Sequence, residues 1–367
     1  MHGRAMRFTV AVLGGGPAGA MAALCLARAG IPVALIEAGR YQAPRIGETL
    51  VPAIAAPLRM LGLWAGFQAL QPLPSHGVRS AWGAAEPTER SLLFDPHGPA
   101  WQVDRCAFDR FLADAAASAG ATLLTGHRFH AAEPLATGGW CLRVTAQQTP
   151  QILEAGLVID ATGRAASFAR RQGATRRIYD NRVGIVGRLE VPADWLEESG
   201  FVLIESVAQG WWYSAPSPPG EAVAVLITDA DLIDGAPAAF WRTALATAPW
   251  TTERIRALRL QAPAAAVLAD TSSLDRSWGA GWIAVGDAAA ACDPLSGDGV
   301  LRAMADGIGA AQAFLTGGVE RWPSFAASRG AAFMAHRLRQ QAFARRERRW
   351  PEAVFWAREQ GRLTTHG

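Results

Sequence analysis

A turn of six residues, Gly14-Gly15-Gly16-Pro17-Ala18-Gly19, restricts this chain more than any other segment. It joins Phe8-Thr9-Val10-Ala11-Val12-Leu13, a run that reads as a short buried strand, to a helical run from about Pro17 to Ala29 stopped by Gly30. Glycine at 14 permits the tight turn, at 16 it lets backbone approach a pyrophosphate, and at 19 it lets helix pack on strand. Pro17 and Ala18 open the helix, whose free N–H groups meet phosphate charge. A second strand, Pro32 to Ile36, ends in Glu37, where a carboxylate can accept hydrogen bonds from a ribose. Strand, helix, strand and acid together specify a dinucleotide site.

Far along the chain, Gly286-Asp287-Ala288 and Asp293-Pro294-Leu295-Ser296-Gly297-Asp298-Gly299 form a second glycine-rich stretch after the apolar strand Trp282-Ile283-Ala284-Val285. Paired with the first turn, it indicates one FAD held by both ends of the sequence.

Residues 8 to 27 carry no charge and follow Arg4 and Arg7, the pattern of a signal peptide or membrane span. Three consecutive glycines and Pro17 would interrupt such a helix, so the expectation is a cytoplasmic protein with no membrane span. Cys25, Cys106, Cys141 and Cys292 have no metal-like spacing, so no metal is expected, and isolated thiols fit a reducing compartment. A formal charge of +3 does not argue for nucleic acid. The 35 basic residues are all arginine, which excludes any mechanism that needs a lysine amine. Arg337, Arg339, Arg345, Arg346, Arg348 and Arg349 concentrate near the end, as a solvated face or a surface for an acidic partner.

The pattern predicts an α/β chain: a Rossmann-like FAD-binding domain with an interleaved, mainly β substrate domain and C-terminal helices. The expected FAD-binding domain is discontinuous, over 1–75, 96–175 and 276–320. The substrate sheet takes 76–95 and 176–275, with strands at 183–191, 201–206, 211–215 and 222–228, and helices fill 321–367. Within the first domain, helices are expected at about 53–61 and 107–119 and strands at 139–145 and 152–159. Helices at 299–316 and 323–347 complete the chain.

GGGPAG with Glu37, RIGETLVP at 45–52, Arg105 before Phe108-Asp109, DATGR at 160–164 and GDA…DPLSGDG at 286–299 together resemble single-component flavin monooxygenases of the para-hydroxybenzoate hydroxylase fold. The likeness is strongest to their halogenase-like branch. It implies that Arg105 approaches the FAD phosphates and that Asp287 contacts the ribityl and pyrophosphate region. Arg45, Gly47 and Glu48 would belong to the loop strapping the flavin, and Pro294, Gly297, Asp298 and Gly299 would pass beside the ring. The helix starting near Val300 would aim its N–H groups at flavin N1 and O2. Asp160 could instead merely terminate its strand, and Asp293 could merely cap its loop.

The resemblance leaves halogenation and hydroxylation open. Tryptophan halogenases relay hypohalous acid through a lysine; the corresponding segment here reads Gly77-Val78-Arg79-Ser80-Ala81-Trp82-Gly83, and a guanidinium stays protonated. Their WxWxIP signature is altered too, with Tyr213 and Ala215 replacing the second Trp and the Ile. Monooxygenation therefore ranks first, with NADH or NADPH as transient reductant, O2 as co-substrate and a flavin C4a-hydroperoxide as the oxidant that the family implies.

Gly210 to Pro216 most resembles the tryptophan hydroxylases that mature tryptophylquinone cofactors, such as the maturation flavoprotein of quinohemoprotein amine dehydrogenase. The expected partner is then a protein or peptide carrying a target tryptophan. A free or carrier-bound aromatic metabolite, and a flavin-binding scaffold without turnover, remain alternatives. Trp82, Trp211, Trp212 and Tyr213 are candidate pocket walls because aromatic faces stack on an aromatic substrate and exclude water, though core packing competes for each. Glu205 and His76 are the candidate bases for the ring proton, beside plainer strand-end and surface readings.

Overall fold

The computed structural model describes residues 6–192, 195 and 200–361. Residues 1–5 and 362–367, the outer ends of the expected first and last domains, lie outside it, as do 193–194 and 196–199 of the expected substrate sheet.

Five parallel strands form the first sheet in the order Trp282–Ala284, Thr149–Asp160, Met6–Leu13, Val33–Glu37, Thr122–Thr125. Strands with helices on their faces are apolar on both sides, and all five residues of Val33–Glu37 are buried. Helix Pro17–Arg28 crosses between the two central strands and packs against helix Gly299–Gly317, where Ala18, Ala22, Ala310 and Ala311 share one core. His127–Pro134 and Trp140–Ala146 extend the sheet as antiparallel strands from Thr149–Asp160.

The second sheet runs Arg259–Leu260, Arg182–Glu190, Glu221–Asp229, Gly210–Ser217, Phe201–Val207, Gly77–Ala81, Thr88–Ser91, with Ala265–Leu268 also paired to Arg182–Glu190. Gly77–Ala81 runs parallel to Phe201–Val207, so residues far apart in sequence share this sheet. Helices Pro237–Leu245 and Pro249–Ile255 interrupt a block expected to hold only strands and turns. Proline in the first turn of each supplies a pre-set φ at the cost of no hydrogen bond, a helix-start signal that the strand reading overrode.

The expected helix at 53–61 is split into a 3-10 turn, Pro52–Ile54, and a short helix, Ala55–Met60. The long helix near the C-terminus spans Trp322–Ala344 and stops short of 347. Glu347 is the reason: its buried carboxylate accepts from Gly83 N at 2.7 Å, Ser206 Oγ at 2.7 Å and Arg349 N at 2.8 Å, which turns the chain onto the sheet. Helix Val354–Glu359 follows, with Trp356 Nε1 donating to the Val207 carbonyl at 2.8 Å. Among the described residues no helix is long and apolar enough to cross a membrane.

Burial pushes the Glu347 carboxyl up, but the hydrogen bonds from Arg349, Ser206 and the Gly83 amide outweigh it and hold the group at about 2, against an ordinary 4.5. A depressed acid contributes stability that is present above pH 4.5 and lost as pH falls through about 2. Glu347→Gln is expected to lower stability at neutral pH by about 1–3 kcal/mol and to flatten that acid limb. Thermal unfolding of both proteins across the window checks it.

Candidate functional site

A cleft of about 650 Å³ separates the two sheets. Its wall contains Gly14, Gly16, Pro17, Ala18, Glu37, Arg45, Gly47 and Arg105 from the N-terminal part. Asp287, Pro294, Gly297, Gly299 and Val300 come from the second glycine-rich stretch, and Trp211 and Tyr213 come from the second sheet.

The glycines of the turn divide by task. At Gly14, φ is +102°, and a Cβ would collide with the Ala161 carbonyl; at Gly19 a Cβ would collide with the Gly14 carbonyl. Gly14 thus lets the turn lie against the end of the neighbouring strand, and Gly19 lets the helix pack on the turn. Gly16 differs, because the nearest atom to a Cβ there is Arg45 Nη1 at 3.8 Å, and the space opens on the cleft. The helix beginning at Pro17 has no side-chain cap, and neither has the helix beginning at Gly299. Two helix starts with unclaimed N–H groups thus face one cleft, an electrostatic arrangement suited to a diphosphate and to an electron-rich ring edge.

Glu37 accepts from Gly15 N and Gly39 N, each at 2.7 Å, and from Arg45 at 3.4 Å on the oxygen that Gly39 uses. Oε2 therefore keeps acceptor capacity toward the cleft, as a ribose hydroxyl requires. Asp109, fully buried, fixes the two arginines of this wall: Arg45 at 2.7 Å and Arg105 at 3.1 and 3.2 Å. Arg105 also donates to the carbonyls of Ile46 at 2.8 Å and Gly47 at 3.2 Å, so it holds the loop as well as facing the cleft. In the sequence Asp109 stands out only as part of the motif that follows Arg105. Its position i+4 on the same helix was the available signal.

Glu48 does not line the cleft; its carboxylate turns inward to Gly47 N at 2.9 Å and Arg188 at 3.5 Å, and burial pushes its pKa up. Thr49 next to it meets Tyr213 Oη at 2.5 Å, linking loop to sheet. Burial, then the Glu48 charge, raises Tyr213, which stays a neutral phenol.

In the second stretch, Asp287 is exposed to the cleft. Asp293 caps the turn Pro294–Ser296 through Leu295 N at 2.7 Å and meets the buried Arg182 at 2.5 Å. Its loop-capping reading therefore holds, with an ion pair added. Asp160 likewise ties its loop together, accepting from Thr162, Phe168 and Ala169 N–H groups. Asp298 lies behind the wall, bonded to Ser296 Oγ at 2.6 Å and Arg302 at 2.9 Å. Arg302 does line the cleft and donates to Cys292 Sγ at 2.5 Å; burial pushes that thiol up to about 11.

Registers across the second sheet set Trp211, Ile227, Gly184 and Val267 side by side, and all four line the cleft. Trp212 must then point the other way. It is fully buried against Trp241, 5.2 Å between ring centroids, so it belongs to the core and not to the pocket. Trp82 is also outside the wall: its ring packs on Phe343, Trp356 and Trp211 and its Nε1 donates to the Phe343 carbonyl. Alternation could have separated Trp211 from Trp212, but not told which face was which.

Neither expected base reaches the cleft wall. Glu205 is buried, and its carboxylate accepts from Trp250 N at 3.1 Å, Thr251 N at 2.7 Å and Thr251 Oγ1 at 2.7 Å, capping helix Pro249–Ile255. His76 is exposed at the far end of the sheet, with its backbone N–H on the Gly200 carbonyl. Arg79, in the segment compared with the halogenase lysine, is exposed and paired with Glu89.

Two substitutions check these assignments. Gly16→Ala should leave thermal stability within about 1 kcal/mol, since nothing of the protein is displaced, while weakening FAD binding roughly tenfold or more, as read by flavin fluorescence titration. Glu205→Gln should cost about 1–3 kcal/mol of stability through the lost cap and leave FAD affinity unchanged.

Residues 7–316 match the FAD binding domain family. LodB of Marinomonas mediterranea is 28% identical over 358 residues, 95% of each chain. Among solved structures, the myxobacterial chondrochloren halogenase CndH superposes with a TM-score of 0.86 at 21% identity, covering 96% of this chain and 86% of that one. QhpG, a peptidyl tryptophan dihydroxylase essential for tryptophylquinone cofactor biogenesis, superposes with a TM-score of 0.78 at 24% identity, covering 98% and 80%. Matched by that family over most of its length, with two open helix starts facing one cleft, this chain belongs to the FAD binding domain family.

Proposed function

We propose that the protein is an FAD-dependent monooxygenase that uses NAD(P)H and O2 to hydroxylate an electron-rich aromatic ring, a tryptophan side chain of a partner protein or peptide. The observation that carries this reading is the apolar row Trp211, Ile227, Gly184 and Val267, with Tyr213 beside it, lining the same cleft as the Pro294–Val300 loop. FAD, when bound, would supply two-electron transfer and oxygen activation. The chain's own part is to hold it and to shape a dry aromatic site. The starts of helices Pro17–Arg28 and Gly299–Gly317, with Glu37 and Arg105, would hold the cofactor. Trp211 and Tyr213 would orient the substrate ring and exclude water.

The likeness to QhpG, a peptidyl tryptophan dihydroxylase, supports the choice of a peptidyl ring. Halogenation is the second reading, favoured by the fold agreement with CndH. We rank it second because the sequence has no lysine to relay a halogenating species, and the basic groups that line the cleft, Arg45, Arg105, Arg128, Arg164 and Arg302, carry delocalised guanidiniums that are poor nucleophiles.

The test is mass spectrometry of a tryptophan-containing peptide after incubation with the holoprotein, NADH or NADPH, O2 and bromide. Mass gains in whole oxygen increments are expected. A bromine isotope pattern selects the second reading, and an unchanged mass with stoichiometric hydrogen peroxide release overturns both. Trp211→Ala should lower kcat/KM for the peptide about tenfold, roughly 1.4 kcal/mol, while reductive half-reaction rates stay level.

A further inference from the structure

We infer that the open edge of strand Ala265–Leu268 is the docking rail for the partner, an extended acidic segment that pairs with this strand and delivers an aromatic side chain to the cleft. The inference rests on the peptide reading above and adds where, and by what chemistry, the peptide is held.

The strand pairs antiparallel with Arg182–Glu190, matching Val183 to Leu268, Gly184 to Val267, Ile185 to Ala266 and Val186 to Ala265. Ala269 N donates to the Arg182 carbonyl at 3.1 Å, which fixes the phase of the ladder. Hydrogen-bonded pairs alternate along an antiparallel ladder, so Val267 and Ala265 spend their backbone groups inward. Ala266 and Leu268 therefore turn an N–H and a carbonyl outward, and among the described residues no strand takes them.

Sheet edges are ordinarily blunted by charge, proline or a bulge. At the opposite end of this sheet, Thr88–Ser91 carries Glu89 and Arg90, while on the same edge as Ala265–Leu268 the short strand Arg259–Leu260 carries Arg259, paired to Glu190. Ala265, Ala266, Val267 and Leu268 have none of these protections. All four are exposed, Leu268 at 69%.

The edge is also continuous with the site. Val267, Leu268 and Ala269 are part of the cleft wall, and Val267 ends the row that begins at Trp211. A strand added beyond it, about 4.8 Å further on, would carry that row by one more side chain. A large aromatic side chain at that place would share the face of Val267, which lines the cleft.

Charge sets the kind of segment. Asp270, two residues past the strand's end, takes up Arg164 at 2.9 Å, which leaves the selection of a partner's charge to other arginines. Ala165 and Ser167 are shared between the main cleft and a shallower one whose other walls are the exposed Arg170 and Arg171, and the exposed Arg128 lines the main cleft. Backbone pairing supplies affinity and these guanidiniums select carboxylates.

The experiment uses the full-length holoprotein and the fluorescein-labelled peptide Asp-Glu-Val-Thr-Trp-Thr-Val-Glu-Asp, followed by anisotropy and by product mass. Ala266→Pro removes an outward donor without touching the inner ladder, and Ala266→Asp, which keeps the donor and adds a repelling charge, guards against a folding defect of the first. Both should raise the peptide Kd tenfold or more, with unchanged FAD content and unchanged turnover of N-acetyltryptophanamide. A peptide with lysines in place of its acids should bind tenfold more weakly; equal binding would overturn the charge assignment. If wild type and both variants bind and oxidise the acidic peptide alike, the rail is overturned while the peptide reading stands. If the protein oxidises N-acetyltryptophanamide yet neither binds nor oxidises the peptide, the peptide reading fails and the rail with it. Loss of a dimer on size exclusion in Ala266→Pro, with peptide affinity unchanged, would give the edge to a second copy of the chain and overturn the proposal.

Discussion

Contact between Gly19 and the Gly14 carbonyl, backbone against backbone, governs the rest of this molecule. It seats helix Pro17–Arg28 hard against strand Met6–Leu13 and leaves the helix start open at the sheet's edge. With Ala18 and Ala22 on that helix, helix Gly299–Gly317 can pack closely through Gly307, whose Cβ position is filled by the Ala18 carbonyl. Two positive helix ends are thereby brought to one cleft. The two like partial charges repel one another, and an anion between them would relieve that repulsion.

A buried ionic cluster ties the loop of that cleft to the end of the described chain. Arg182, on a strand of the second sheet, pairs with Asp293 beside the cleft loop and with Glu359 on the last helix, while Asp180 lies at 3.6 Å. Burial pushes Glu359 up to about 7 despite the arginine. A lone charge in such a place would be expensive, and the surrounding acids are what make a buried guanidinium tolerable. The cleft loop is thus held by the second sheet and the last helix together. The flanking aromatic cluster of Trp82, Trp211, Phe355 and Trp356 adds an apolar brace at the same junction.

Local chemistry made much of this legible in sequence. The turn at Gly14–Gly19, the acid at Glu37 and four of the five parallel strands of the first sheet show in local spacing and apolar runs, whereas the edge strand Thr122–Thr125 went unread. The strand Glu221–Asp229 shows the limit. It is apolar on both faces, so nothing in its pattern says that Val225 and Ile227 look onto the cleft while Ala224 and Leu226 look into the core. Glu205 illustrates the same limit for polar groups. A carboxylate on a strand reads as a candidate base until the helix start that it caps, more than forty residues on, is brought beside it.

The sequence by itself determined the nucleotide-binding frame, since turn glycines, strand length and helix periodicity are properties of neighbouring residues. It also determined that this chain offers no lysine amine. Tertiary structure alone decided which tryptophan faces the cleft, which acid is a brace, and that Ala265–Leu268 stays an open edge beside the site. Those outcomes depend on strand register and on partners distant in sequence, and one residue of register would have exchanged Trp211 for Trp212 at the cleft.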